Sequence, residues 1–189
     1  MALSRFFAAI ATCALLAGTP GLADEIQDID RQYREGDLSA ALDRADRFLV
    51  QNPQDAQARF LKGLILADQG KTRDAIAVFS GLTEDYPELP EPYNNLAVLY
   101  ASQGQYEAAK NALDMATRAH PGYATAHENL GDIHAKMAAI AYDKAQALDS
   151  KNTTAKAKLT LIRNMLGEPP DKPATAKPLP DPVLPAPAR

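Results

Sequence analysis

Three histidines stand at intervals of seven residues, His120, His127 and His134, and they are the side chains most suited to binding a metal ion. A shared ion needs ligands about one helical turn apart, as in an i, i+4 pair. On a helix, His127 and His134 would lie about 10.5 Å apart along the axis, because each residue rises about 1.5 Å. We therefore expect no metal and no other cofactor, and we expect His134 to have a packing role.

The acidic residues also give no sign of catalysis. Glu128 and Asp132 form an i, i+4 pair of like charge, which is more typical of a solvated helix face than of an acid–base couple. The sequence has neither a glycine-rich phosphate loop nor a Gly-x-Ser-x-Gly motif. Its formal net charge is -4, with acidic and basic residues interspersed and no basic stripe. The sequence predicts that the protein is not an enzyme and does not bind nucleic acid.

A repeat of 34 residues dominates the middle of the chain, and it defines the elements that would position any site. Shifting the sequence by this interval returns residues of the same kind: Gly63 and Ala97, Gly70 and Gly104, Ala75 and Ala109, Phe79 and Leu113, Pro87 and Pro121. Each unit reads as two helices with a break at the second glycine and a stop near the proline. The small residues allow the two helices to approach closely, and the larger ones fill the space between them.

The two units resemble the tetratricopeptide repeat, a helix–turn–helix of 34 residues. The second unit carries the pattern in Tyr93, Leu96, Ala97, Tyr100, Ala109, Leu113 and Pro121. The first unit agrees at Gly63, Leu66, Ala75, Phe79 and Pro87 but departs from the pattern at Arg59 and Lys62. The resemblance implies an all-α solenoid that serves as a partner-binding scaffold, with no catalytic residues to transfer.

The repeat frame extends in both directions from these two units. We expect repeats at about 24–55, 56–89 and 90–123, a divergent unit at 124–151, and a capping helix at 152–166 with a polar outer face. In the first repeat Ile26, Ile29 and Tyr33 fall one place out of step. A turn shortened by one residue at Glu35–Gly36 would restore the register.

The divergent unit lacks a glycine at the expected turn. We expect one unbroken helix from about Ala124 to Ala147, because apolar residues recur at steps of three and four without an interruption. A hairpin that turns at Ala138–Ala139 is the alternative. The capping helix begins at Asn152 and ends before Gly167.

Both ends of the chain differ from the repeats. Residues 1–23 have the pattern of a signal peptide, with Arg5, an apolar run and small residues up to Ala23, and Asp24 would then cap the first helix. A short membrane anchor is the alternative, and lipidation at Cys13 is disfavoured. Eight of the 14 prolines lie in residues 168–189, which we interpret as a disordered spacer rather than a ligand. We expect a periplasmic or secreted protein. The style of the signal favours a bacterial periplasm, and a eukaryotic secretory route is the alternative.

In the family that these units resemble, the first helix of each unit lines a concave face. The resemblance therefore predicts a groove for a peptide or helix of another envelope protein, formed by Phe60, Leu64, Ala67, Asp68, Asn94, Val98, Ala101 and Ser102. We expect mainly apolar binding with little salt dependence, and Phe60 and Leu64 as the anchors. Two alternatives are open: burial of these two residues under the first repeat, and a self-associating structural subunit instead of an adaptor.

The signal-peptide interpretation predicts a mature protein that begins at Asp24. Intact-mass measurement of the protein isolated from an expressing bacterium should give the mass of residues 24–189. Replacing Ala23 with arginine should block processing, because a signal peptidase requires a small residue there. Recovery of a chain that still begins at Met1 would contradict a cleaved signal.

Overall fold

The computed structural model describes residues 22–167, which form eight α-helices and no β-strand. The helices are α1 Leu22–Arg34, α2 Leu38–Gln51, α3 Ala56–Asp68, α4 Thr72–Asp85, α5 Pro90–Ser102, α6 Tyr106–Ala119, α7 Ala124–Leu148 and α8 Thr153–Met165. The predicted all-α fold is confirmed. Most of the predicted signal peptide, including Cys13, and the proline-rich segment 168–189 lie outside the described residues.

The first six helices follow the 34-residue interval without a gap. The helices α1, α3 and α5 each begin 34 residues after the one before, and so do α2, α4 and α6. Each pair is joined by a three-residue turn whose central glycine, Gly36, Gly70 or Gly104, has a positive φ of 83°, 73° or 73°. Only glycine adopts this left-handed conformation at little cost. The expected shortening of the turn at Glu35–Gly36 is therefore wrong.

The first pair of helices keeps the common register by exchanging large and small residues. In the second pair, Gly63 on α3 leaves room for Phe79 on α4. The equivalent positions of the first pair hold Ile29 and Ala45, which are both fully buried in one cluster. A large residue on the first helix is thus balanced by a small one on the second. Ile29 looked out of step only because it occupies the position of the family's small residue.

Several helices begin with a side-chain cap, and the cap at Asn152 was expected from the sequence. The carboxylates of Asp37 and Asp55 accept hydrogen bonds from the backbone N–H three residues later, at 3.1 Å and 2.8 Å, and Asn152 does the same for α8 at 2.9 Å. The expected cap at Asp24 is wrong, because α1 begins two residues earlier, at Leu22. Leucine and alanine are strong helix formers, and Asp24 instead lies in the first turn, where the helix dipole favours a negative charge.

The fourth unit differs from the others because its first helix does not turn back. Helix α7 runs unbroken for 25 residues, as the sequence predicts, and the hairpin at Ala138–Ala139 is not formed. A turn like those at Gly36 or Gly70 needs a residue that tolerates positive φ, whereas alanine favours a helix. Helix α8 then folds back along the C-terminal half of α7 and ends at Met165, two residues before Gly167, whose φ is 66°.

Two buried clusters hold the helices together, and α3 belongs to both. One of its faces contributes Ala58, Leu61 and Ile65 to the cluster that includes α1 and α2. Another face contributes Phe60 and Leu64 to the larger cluster that extends through α4, α5 and α6 to Ile133 on α7. The shared helix makes the stacked units a continuous core, as expected for a solenoid.

The close approach at Gly63 can be tested with an alanine substitution. A Cβ atom at this position would lie 2.7 Å from Cε1 and Cζ of Phe79, whose ring is fully buried. We expect Gly63→Ala to lower the free energy of unfolding by about 1–3 kcal/mol, because the core must move to accept the methyl group. Urea denaturation followed by circular dichroism measures the change.

Gly131 is the matched control, since it is also a helical glycine but a methyl group added to it would meet no atom within 4 Å. Gly131→Ala should stabilise the protein by about 0.5–1 kcal/mol through helix propensity. Equal effects of the two substitutions would contradict the close packing of Gly63 against Phe79.

Candidate functional site

The predicted groove residues lie on α3 and α5, but their exposure differs widely. Phe60, Leu64, Asn94 and Ala101 are buried, with at most 2% of their surface exposed. Ala67 and Val98 are half-buried, and Asp68 and Ser102 are exposed. Half of the predicted set is therefore accessible to a ligand, and this accessible strip consists of Ala67, Asp68, Val98 and Ser102.

The two expected anchors belong to the core. The ring of Phe60 packs edge-to-face against the ring of Phe79, with centroids 5.4 Å apart and an interplanar angle of 64°. Leu64 lies in the same cluster, and Tyr33 from α1 packs against that cluster. The expectation that Phe60 and Leu64 anchor a ligand must be corrected, because neither offers surface to one. Their substitution would test stability, not binding.

Asn94 joins two repeats instead of forming the rim of a groove. Its Oδ1 accepts a hydrogen bond of 2.7 Å from Nδ2 of Asn129, which is fully buried on α7. The two residues are 35 positions apart, so the bond links the first helices of successive units. A buried amide pair of this kind fixes the position of one helix on the next, since breaking the bond leaves polar atoms without a partner.

The accessible strip combines small apolar side chains with polar groups. Asp68 accepts a hydrogen bond of 2.8 Å from the hydroxyl of Tyr33 on the neighbouring first helix. The hydroxyl of Ser102 donates to the backbone carbonyl of Leu99 at 2.7 Å. Asp132 on α7 follows Val98 by one repeat length and is half-buried. Equivalent positions of stacked repeats lie side by side, so the strip contains the carboxylate of Asp68 and has that of Asp132 next to it.

A further carboxylate lies at the start of α5. Glu91 is in the first turn of this helix, near Tyr123 in the connection that precedes α7. Burial of the phenol, and secondarily the negative charge of Glu91, raises the pKa of Tyr123 to about 12. Tyr123 is therefore neutral at physiological pH. The electrostatic character of the first helices is acidic at this end as well.

The histidines do not form a site. The Nε2 atom of His127 lies 2.9 Å from the carbonyl oxygen of Pro121, while His120 and His134 are exposed. The expected packing role of His134 is wrong, because α7 does not turn back and no second helix in the described part of the chain covers this position. Within residues 22–167 no group of three or more potential metal ligands comes together. None of the helices described there has both the length and the apolar character to cross a membrane.

Comparison with known families identifies the repeat. Two sequence models of the tetratricopeptide repeat match residues 29–90 and 66–130, which together cover more than half of the chain. This agrees with the observed helical pairs and with the 34-residue interval. The chain belongs to the tetratricopeptide repeat family.

Solved structures of helical repeat proteins share the fold. TTC0263, a thermophilic TPR protein of Thermus thermophilus, is 23% identical with a TM-score of 0.57, and the match covers 78% of this chain and 84% of that one. YrrB, described as a TPR protein with an unusual peptide-binding site, is 28% identical with a TM-score of 0.54, over 61% of this chain and 59% of that one.

A third match is the structure of Naa15/Naa10 bound to HypK-THB, at 19% identity and a TM-score of 0.54. It covers 77% of this chain, which spans only 23% of the length of that protein. Among curated proteins, no significant match to the chain was found.

The asparagine pair can be tested with a double-mutant cycle. Asn94→Leu and Asn129→Leu should each lower the free energy of unfolding by about 1–3 kcal/mol, because each leaves the other amide buried and unpaired. The double substitution should cost less than the sum of the two, since it removes both amides. Urea denaturation of all four proteins gives the coupling energy.

Asn111→Leu on α6 is the control, because Asn111 is exposed and its replacement should change stability by less than about 0.5 kcal/mol. Strict additivity of the two buried substitutions would show that the hydrogen bond does not couple the helices.

Proposed function

We propose that this protein is a non-catalytic scaffold that binds a peptide or helix of a protein partner along the face formed by the first helices of its repeats. The observation that carries the proposal is the accessible strip. Its four residues stay at least partly open on α3 and α5, where most of the neighbouring side chains are buried. Membership of a family of interaction scaffolds supports it, as does the peptide-binding site named for YrrB.

The chemistry of the strip favours a partner with basic residues. With Phe60, Leu64 and Ala101 buried, the strip has no large apolar side chain fully open to a ligand. What it offers is the half-buried Val98 beside the carboxylates of Asp68 and Asp132. Lysine or arginine of a partner would form ion pairs there, each contributing about 0.2–1 kcal/mol. Binding then weakens with salt, in contrast to the apolar groove expected from sequence.

We further propose that this scaffold works in the bacterial cell envelope. The support comes from the amino-terminal sequence, in which the single charge of Arg5 precedes the apolar run Phe6–Ala17 and small residues precede Asp24. Cleavage after Ala23 would remove Cys13, the single cysteine of the chain, and shorten α1 by two residues. The mature scaffold would then rely on helix packing alone, without a disulfide.

Site-specific crosslinking tests this function. A photoreactive amino acid at Val98, introduced in the protein's own cells, should give one discrete adduct with a protein partner. The same amino acid at Val50, which is highly exposed on α2, should not capture that partner. Asp68→Lys should reduce the Val98 adduct about threefold to tenfold, because it reverses a charge in the accessible strip.

Asp74→Lys on α4 makes the same charge change at an exposed position away from the strip and serves as the matched control. Circular dichroism confirms that both variants stay helical. Equal capture from Val98 and Val50, or equal loss with both lysine variants, would refute binding at the strip. Light scattering in parallel measures whether the protein forms a dimer. A dimer, together with an adduct between two copies of the chain, is the result expected for a self-associating subunit.

A further inference from the structure

The C-terminal helical hairpin extends beyond the repeats and leaves apolar side chains open. Helix α7 exceeds the preceding helix α6 by 11 residues, about 16 Å. Helix α8 packs against α7, and no other helix of the described chain packs extensively on it. Leu161 and Met165 are 69% and 66% exposed on α8, and Leu148 is 81% exposed at the end of α7. The outer face of the capping helix is thus polar at Lys156, Lys158 and Thr160, as expected, but apolar at Leu161 and Met165, which was not expected.

Two contacts fix how the helices of this hairpin face each other. On one side, Nη2 of Arg163 lies 3.1 Å from Oδ1 of Asp143. On the other side, Nζ of Lys158 lies 5.3 Å from the centre of the Tyr142 ring. Leu161 and Met165 follow Lys158 by three and seven residues, so they share its side of α8. The exposed apolar residues of α8 thus stand beside Tyr142.

The adjoining side of α7 is a row of small residues. Ala138 and Ala145 lie four residues before and three residues after Tyr142, and Ala141 and Leu148 continue the same face at helical spacing. These residues are all half-buried or exposed. The alanines form a shallow floor beside the ridge of Leu161 and Met165. We define the hairpin groove by Ala138, Ala141, Ala145, Leu148, Leu161 and Met165.

The charges around this groove are opposite to those of the repeats. Residues 137–167 hold five basic and two acidic residues, a net charge of +3, whereas residues 24–136 hold 11 basic and 19 acidic residues, a net charge of -8. Lys158 reaches from α8 over Tyr142 within the groove, and Lys144, three residues after Ala141, borders the groove on α7. Both lysines are exposed. The groove is apolar, with one lysine between its two helices and another along its α7 edge.

We propose that the hairpin groove binds an amphipathic helix of a protein partner whose apolar face is flanked by acidic residues. An alanine floor lets the backbone of a docked helix approach closely, and Leu161 and Met165 then pack between the apolar side chains of that helix. Glutamate or aspartate on its flanks pairs with Lys144 and Lys158. The hairpin of a second copy carries the same positive charge and would be repelled.

Selection from a displayed library of helical peptides tests this proposal on the full chain. The library holds an apolar stripe constant and varies the flanking positions among acidic, basic and neutral residues. We expect enrichment of peptides with acidic flanks. We then measure the affinity for the best of these peptides by fluorescence anisotropy. It should fall at least about tenfold in the double variant that carries Leu161→Glu and Met165→Glu, because two exposed apolar contacts become negative charges that repel the acidic flanks of the peptide.

Two lysines of α8 provide a matched pair of charge reversals. Lys158→Glu, which reverses the charge over Tyr142 within the groove, should weaken binding several-fold. Lys156→Glu, on the side of α8 away from Lys158, should leave binding nearly unchanged although the net charge is the same. Val98→Arg in the accessible strip should have no effect, which separates this groove from the proposed function. Thermal melts confirm that the exposed substitutions leave the fold intact.

Four results would overturn the proposal. The first is the absence of acidic flanks among the selected peptides, and the second is equal binding by the Lys156 and Lys158 variants. The third is stronger binding by a chain that ends at Gly167, which would identify residues 168–189 as the occupant of the groove. The fourth is that the chain binds phosphatidylglycerol vesicles, or forms a dimer in sedimentation, and that Leu161→Glu abolishes this. Loss of vesicle binding would assign the groove to a lipid surface, and loss of the dimer would assign it to a second copy.

Discussion

The close approach of two helices within each repeat is the constraint on which the rest of this structure depends. At Gly63 there is no room for a side chain, because the ring of Phe79 occupies the space that a Cβ would need. The first repeat meets the same constraint with Ile29 opposite Ala45, and the third meets it with Ala97 opposite Leu113. What is held constant is the summed volume between the helices, as close-packed interiors require.

This constraint explains why the predicted ligand anchors are core residues. Once Gly63 admits Phe79, the ring of Phe79 meets Phe60 edge-to-face, and Leu64 lies in the same cluster. Packing against the helices on both sides therefore buries the apolar surface of α3. The residues that remain accessible to a partner are small or charged, such as Val98 and Asp68. The binding face of this scaffold therefore consists of the side chains that the core does not bury.

The long helix α7 separates the molecule into two parts of different character. Its first half packs on the repeats through Ile133 and the buried pair of Asn94 and Asn129. Among the described helices, its second half packs only on α8, and there Leu148, Leu161 and Met165 stay exposed and the net charge is positive. A single missing turn thus converts a fourth repeat into an extension, which gives an acidic repeat domain with a basic hairpin at its end.

The sequence alone determined the local and periodic features: the helix pairs, the glycine turns, the unbroken α7 and the cap at Asn152. These depend on backbone propensities and on spacing, which act over a few residues or over one repeat. The sequence alone could not determine whether Phe60, Leu64 or Leu161 is exposed, nor the role of Asn94. Those depend on which neighbouring helix covers a position, and in a solenoid that neighbour comes from another unit. Only the tertiary structure showed that Ala45 compensates Ile29 and that no part of residues 22–167 covers His134, because burial depends on how helices pack together and not on a single segment.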